Sequence, residues 1–153
     1  MSRERGNLEM AAADDLDHAI EQYRQALDDF TKGDPEPVKK LFSHQDVVIL
    51  ANPLGPPAHG WEQVAKTLER AASQIRDGET AGFETVEKYV TAELAYIVWI
   101  ERVKAKLGAG EDITPFALRV TTIFRPEEGT WKVVHRHADP ITSARPAESV
   151  IQQ

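Results

Sequence analysis

Glu101, Arg119 and His137 are a carboxylate, a guanidinium and an imidazole, and each lies in a segment whose apolar residues alternate as in a β-strand. A turn centred on Gly110 sets Glu101 opposite Arg119 in a hairpin. A second turn, centred near Glu128, sets His137 opposite Arg119 and His135 opposite Thr121. The three side chains then form one row across three strands, with types suited to proton transfer. An imidazole near a carboxylate has its cation favoured, which keeps it available near neutral pH. The row depends on register, because moving a turn centre by half a residue sends partners to opposite faces. Glu101 and Arg119 equally fit a plain cross-strand ion pair on a sheet surface or at a dimer interface.

His135 and His137, one residue apart, share a strand face as metal ligands require, but no third ligand is identifiable, so no metal and no cofactor are expected. Trp61, Trp99 and Trp131 are candidates for the floor of a ligand pocket, and packing explains them as well. Asn52 and Thr121 join His135 as candidate ligand contacts, although an Asn before a proline also serves to hold its own turn.

The elements that must position these groups follow from periodicity. Leu16, Ile20, Tyr23, Leu27 and Phe30 step by four and three, which predicts a long helix beginning near Asp14 or Asp15 and stopping at Gly33. Asp34-Pro35 starts a short second helix with Val38, Leu41 and Phe42 inside. Val47 to Ala51 reads as a strand, followed by a loop whose prolines exclude a central ladder. A third helix runs from Trp61 through Val64, Leu68, Ala71 or Ala72 and Ile75, closed by Asp77-Gly78. Segments 83–91, 94–103, 114–124 and 131–138 read as four consecutive strands. Helices followed by hairpins predict an α+β domain, three helices stacked on a mainly antiparallel sheet, over residues 14–140. Residues 1–13 read as a flexible lead-in and 141–153 as a surface tail or an arm to a neighbour.

At 153 residues and 41% hydrophobic, the chain is long and apolar enough for one core. A net charge of -7 opposes a phosphate-tracking surface, so nucleic acid is not expected as a partner. The absence of cysteine excludes disulfides, thiolate nucleophiles and thiolate metal sites. No apolar run approaches the ~20 residues of a membrane helix and no signal-type segment follows the charged start, so no membrane association and a cytoplasmic location are expected.

The loop Asn52-Pro53-Leu54-Gly55, the Gly60-Trp61 opening of a helix, the Gly33-Asp34 pair and the closing strand WKVVHRHAD at 131–139 together resemble the SnoaL-like, ketosteroid-isomerase-like branch of the nuclear transport factor 2-like superfamily. The resemblance implies a cone, helices packed into a strongly curved sheet with a pocket at the open end, and a homodimer through the sheet. In the isomerases the position matching Asn52 is an aspartate that shuttles a proton, which an amide cannot do. The position of their oxyanion-donating tyrosine falls near Ala26, and Tyr23 lies on a different turn. The resemblance therefore implies a pocket for a small lipophilic or hydroxylated metabolite, bound or converted by acid–base chemistry of isomerase, dehydratase, cyclase or hydrolase type, with Glu101, Arg119 and His137 carrying it. The alternative is a non-catalytic homodimeric ligand-binding or protein-interaction module, with Tyr96, Val98, Ile100, Leu118 and Val120 as its apolar patch.

Overall fold

In the computed structural model, which describes residues 2–152, the stripe Leu16, Ile20, Tyr23, Leu27 is buried along one face of helix α1, Ser2–Phe30. The stretch expected as a loose lead-in is the first part of this helix from Ser2 onward; Met1 lies outside the described residues. Leu8 and Met10 on it are exposed, and Ala12 is its residue that packs against the core. The helix ends as its glycine requires. Gly33 takes φ +93°, and the Asp34 N–H reaches back to Asp29 O at 3.3 Å, the bond of a left-handed C-terminal cap. Asp34 then accepts the Glu36 N–H at 3.1 Å and starts α2, Glu36–Leu41.

Strand β1 (Ile49–Ala51), a short β2 (Ala58–His59) and helix α3 (Trp61–Ala72) follow, then four long strands: β3 (Ile75–Val90), β4 (Ala95–Leu107), β5 (Thr114–Glu127) and β6 (Thr130–Asp139). A 3₁₀ turn over Ala147–Val150 lies in the C-terminal tail. The six strands form one sheet in the order β2-β1-β6-β5-β4-β3, antiparallel except where β1 runs parallel to β6. The fold is α+β, three helices against a mainly antiparallel curved sheet. No described helix is long and apolar enough to cross a membrane.

Two expectations about elements are corrected. Ile75 is the first residue of β3, because α3 already stops at Ala72. Asp77-Gly78 does not close a helix but bends β3, with Asp77 at φ 54° and the first of three register shifts between Arg76 and Glu79. A Cβ on Gly78 would lie 2.7 Å from both Thr31 O and Ala105 Cβ, so only glycine lets β3 press between the end of α1 and β4.

Register decides the site. In β4 the buried set is Ala95, Ile97, Trp99, Glu101, Val103 and Ala105. It faces Phe116, Leu118, Val120, Thr122 and Phe124 of β5, with Glu101 opposite Leu118 and Ile100 opposite Arg119. The expected pairing of Glu101 with Arg119 is therefore off by the half-step that exchanges faces. The uninterrupted apolar set Tyr96, Val98, Ile100 lies on the outer face, and the set carrying a glutamate lies inside. Leu118 and Val120 belong inside too, so they are not part of one patch with Tyr96, Val98 and Ile100.

The second hairpin departs by another route. Phe124 pairs with Val133, but Ile123 pairs with His135, so Val134 is an extra, bulged residue. Alternation changes parity there: Trp131 and Val133 are buried, then Arg136 and Ala138. His137 comes opposite Thr121, and Arg119 comes opposite Asp139. The expected row of Glu101, Arg119 and His137 does not form. Glu101 points into the cone, and the other two side chains lie on its outside.

Candidate functional site

The inner surface of the cone carries a buried polar network at its floor. From β6, Arg136 directs its guanidinium at Glu101 of β4: Nη1 donates to Oε2 at 2.8 Å and Nη2 to Oε1 at 2.9 Å. Nη1 also donates to the Tyr23 hydroxyl of α1 at 2.8 Å, and Trp99 Nε1 donates to Glu101 Oε2 at 2.9 Å. Trp99 stacks against Tyr23, ring centroids 6.1 Å apart, so the aromatic pair seals the network from behind. Burial works against the charge of Arg136, yet Glu101 and Tyr23 beside it hold its pKa above the usual guanidinium value. Burial likewise pushes the Tyr23 phenol up, partly offset by Arg136. Neither group exchanges a proton near neutral pH.

In front of this floor is a cavity of about 370 Å³, walled by the end of α1 (Leu27, Phe30, Thr31), by α3 (Leu68, Ala71), by the loop at Asn52–Leu54 and by Val103, Phe116 and Leu118 of the sheet. Glu101 and Arg136 are its sole charged lining residues among those described, and each is spent on the other. The Thr31 hydroxyl donates to Asp28 O at 2.6 Å and the Thr80 hydroxyl to Asp28 Oδ1 at 3.1 Å. The volume falls within the roughly 300–1,000 Å³ typical of ligand pockets in general, and most of the walls are apolar.

Each residue singled out by sequence has a definite place. Asn52 lines the cavity and also accepts the Leu54 N–H at 3.0 Å, so it holds its own loop while facing the cone. Trp99 is wholly buried behind Glu101. Trp61 stacks on His44 at 3.9 Å, and Trp131 is buried opposite Pro126; neither lines the cavity. Thr121, His135, His137 and Arg119 occupy the outer face of the sheet, away from it.

There Asp139 collects the chemistry meant for the pocket. Arg119 donates to Asp139 Oδ2 through Nε at 3.1 Å and Nη2 at 2.8 Å, and His137 Nε2 lies 2.9 Å from the same oxygen. Burial lowers the pKa of His135, and the nearby His137 adds to it. No group of three His, Cys, Asp or Glu among the described residues is arranged to hold a metal ion.

The residues that sequence reasoning missed are Arg136 and Tyr23. Arg136 lies between two histidines that drew attention to the wrong face. The available signal was the doubled apolar pair Val133-Val134, followed by Ala138 on the parity opposite to Trp131.

Comparisons with known proteins agree with this architecture. No curated protein matches. Among solved structures, a nuclear transport factor 2-like superfamily protein from Salmonella enterica superposes with a TM-score of 0.72 at 15% identity, covering 94% of this chain and 97% of that one. A ketosteroid isomerase-like protein from Erwinia carotovora reaches 0.69 at 20% identity over 88% of this chain and 98% of that one. A nuclear transport factor 2-like protein of unknown function from Pseudomonas putida reaches 0.64 at 23% identity, over 85% and 87%. At these identities the likeness speaks for the fold. The family model for the SnoaL-like domain matches residues 18–142, from the first turns of the buried stripe on α1 to just past β6, and the chain accordingly belongs to the SnoaL-like domain family.

Proposed function

We propose that this protein binds a lipophilic small molecule inside its cone and does not convert it by acid–base catalysis. The observation that supports this is an apolar cavity whose two ionisable lining groups are paired with each other. Conversion of the isomerase, dehydratase, cyclase or hydrolase type would have to run through Glu101, whose oxygens already accept from Arg136 and Trp99. Taking a proton from a substrate would neutralise Glu101 and leave the buried Arg136 guanidinium without its counter-charge. The histidines that could replace Glu101 are on the far side of the sheet.

The test is fluorescence titration with aminoanthracene, a neutral reporter that brightens in apolar surroundings, with Leu118→Trp as the cavity-filling control. Saturable brightening in the wild type, lost in a folded Leu118→Trp, is the expected result. Absence of saturable binding, with displacement by no lipophile, defeats the reading.

A homodimer through the outer face is part of the same proposal. Tyr96, Val98, Ile100 and Ile123 lie on that face half-buried, and Arg119 and Asp139 beside them bring both charges, so the patch complements itself across a two-fold axis. Light scattering on the wild type and on Val98→Asp checks it: the dimer mass is expected for the first and the monomer mass for the second.

A further inference from the structure

We infer that the ligand of the cone is uncharged and carries a hydroxyl group, docked on the Oε1/Nη2 edge of the Glu101–Arg136 pair. This rests on the binding function proposed above and names the chemistry of that site's occupant.

The ion pair has two unlike edges. On one, Glu101 Oε2 accepts from Trp99 Nε1 and Arg136 Nη1, and Nη1 donates again to Tyr23. Tyr23 and Trp99 are fully buried and take no part in the cavity wall, so this edge is sealed by protein. On the other edge, Oε1 and Nη2 are bonded to each other at 2.9 Å and to no further described side chain. Both residues line the cavity, so the edge that faces it is the incompletely bonded one.

A carboxylate oxygen accepts about two hydrogen bonds and a terminal guanidinium nitrogen carries about two hydrogens. Oε1 therefore keeps one acceptor site and Nη2 one donor. A hydroxyl is both donor and acceptor, so it can pair with either of the two. A hydrocarbon leaves both unpaired, and unpaired polar groups in an apolar cavity are costly.

Charge narrows the class further. Glu101 and Arg136 cancel. A ligand carboxylate must either approach beside Glu101 or displace it from Arg136 and leave it buried without a partner. An ammonium meets the mirror problem at Arg136. No other charged residue lines the wall to compensate, and the Thr31 and Thr80 hydroxyls and Asn52 Oδ1 are already engaged within the protein.

The experiment displaces aminoanthracene with three competitors on one carbon skeleton: decalin, a decalol and the decalin carboxylate, at neutral pH. The decalol is expected to bind most tightly, with the carboxylate weaker by about tenfold or more. In Glu101→Gln the uncompensated Arg136 should reverse the order of decalol and carboxylate. If that variant does not fold, the wild-type order alone decides. A carboxylate that competes as well as the decalol, or a decalol no better than decalin, overturns the inference while aminoanthracene binding leaves the binding function standing. If aminoanthracene itself does not bind, the binding function fails and this inference fails with it.

Discussion

Removing one partner of the Glu101–Arg136 pair leaves a buried charge without its counter-charge, so Glu101→Ala or Arg136→Ala is expected to cost about 3–5 kcal/mol in urea unfolding. Replacing both, as Glu101→Leu with Arg136→Met, should cost less than either single change, because no charge is then left unpaired. A double change as damaging as the single ones would mean that the pair itself supplies net stability. Asp139, on the opposite face, contributes to acid behaviour. Burial pushes its carboxyl up, but Arg119, the Ile141 N–H and His137 together hold it below the usual carboxylate value. Asp28 is held low as well, first by the Thr80 N–H and then by Lys32. A depressed carboxylate contributes stability above its unfolded pKa, about 3.9, and loses it as pH falls through the folded value. Urea midpoints for Asp139→Asn should therefore lie below wild type at neutral pH and converge with it in strong acid.

Strand β6 shows how one extra residue sets the contents of the cone. With strict alternation from Trp131 and Val133, His135 and His137 would face inward; the bulge at Val134 substitutes Arg136 and Ala138. The bulge sits where Ser43 N–H bonds Val133 O at 2.8 Å and Phe42 bridges Val133 in parallel, just before β1 takes over as the partner of β6. Deleting Val134 would remove the extra residue without changing which residues pair beyond it. The variant should fold, keep Arg136 against Glu101, and lose roughly 1.5–3 kcal/mol, the burial of one valine. Native-like near-ultraviolet circular dichroism with a lowered urea midpoint is the expected reading, and loss of the near-ultraviolet signal would contradict it. Gly78→Ala belongs to the same scale. Its Cβ meets Thr31 and Ala105 at 2.7 Å, so overpacking of about 1–3 kcal/mol is expected from the same urea series. These devices explain what the sequence made legible. The four-and-three stripes of α1 and α3 survive any small shift of boundary, and they placed Tyr23, Leu27, Val64 and Leu68 inside. A half-residue turn centre and a single bulge leave the apolar count of each strand unchanged while exchanging its faces, so a turn centred on Gly110 puts Glu101 opposite Arg119 where the folded register puts it opposite Leu118.

For the whole molecule, helices on the concave side and an open convex side leave the outer sheet as the surface on which a second copy could sit. The homology signal was readable because it rests on element order and on short motifs at Gly33-Asp34, Asn52 to Gly55 and the final strand. The occupant of the cone was not, because it depends on side chains that meet only after β4, β5 and β6 have taken their register. The outer face carries Arg119, Asp139, His135 and His137, with Ile123 and Ile49 as the cross-strand neighbours of His135. The C-terminal tail passes beside Ile100 and Arg119 at its margin. His137 Nε2 lies 2.9 Å from Asp139 Oδ2, whereas His135 bonds no carboxylate among the described residues, and burial and the nearby His137 hold the pKa of His135 below the ordinary histidine value. A base with a depressed folded pKa binds a proton more weakly in the fold, so its contribution to stability is present at higher pH and is lost as pH falls below about 6.5. Pairing two copies across this face would bring both His135 side chains into less water and deepen the effect. Light scattering from about pH 8 to about pH 5.5 should show the dimer mass giving way to the monomer, with His135→Gln flattening the transition and Asp139 still ionised throughout. A dimer fraction independent of pH in the wild type would place the interface elsewhere.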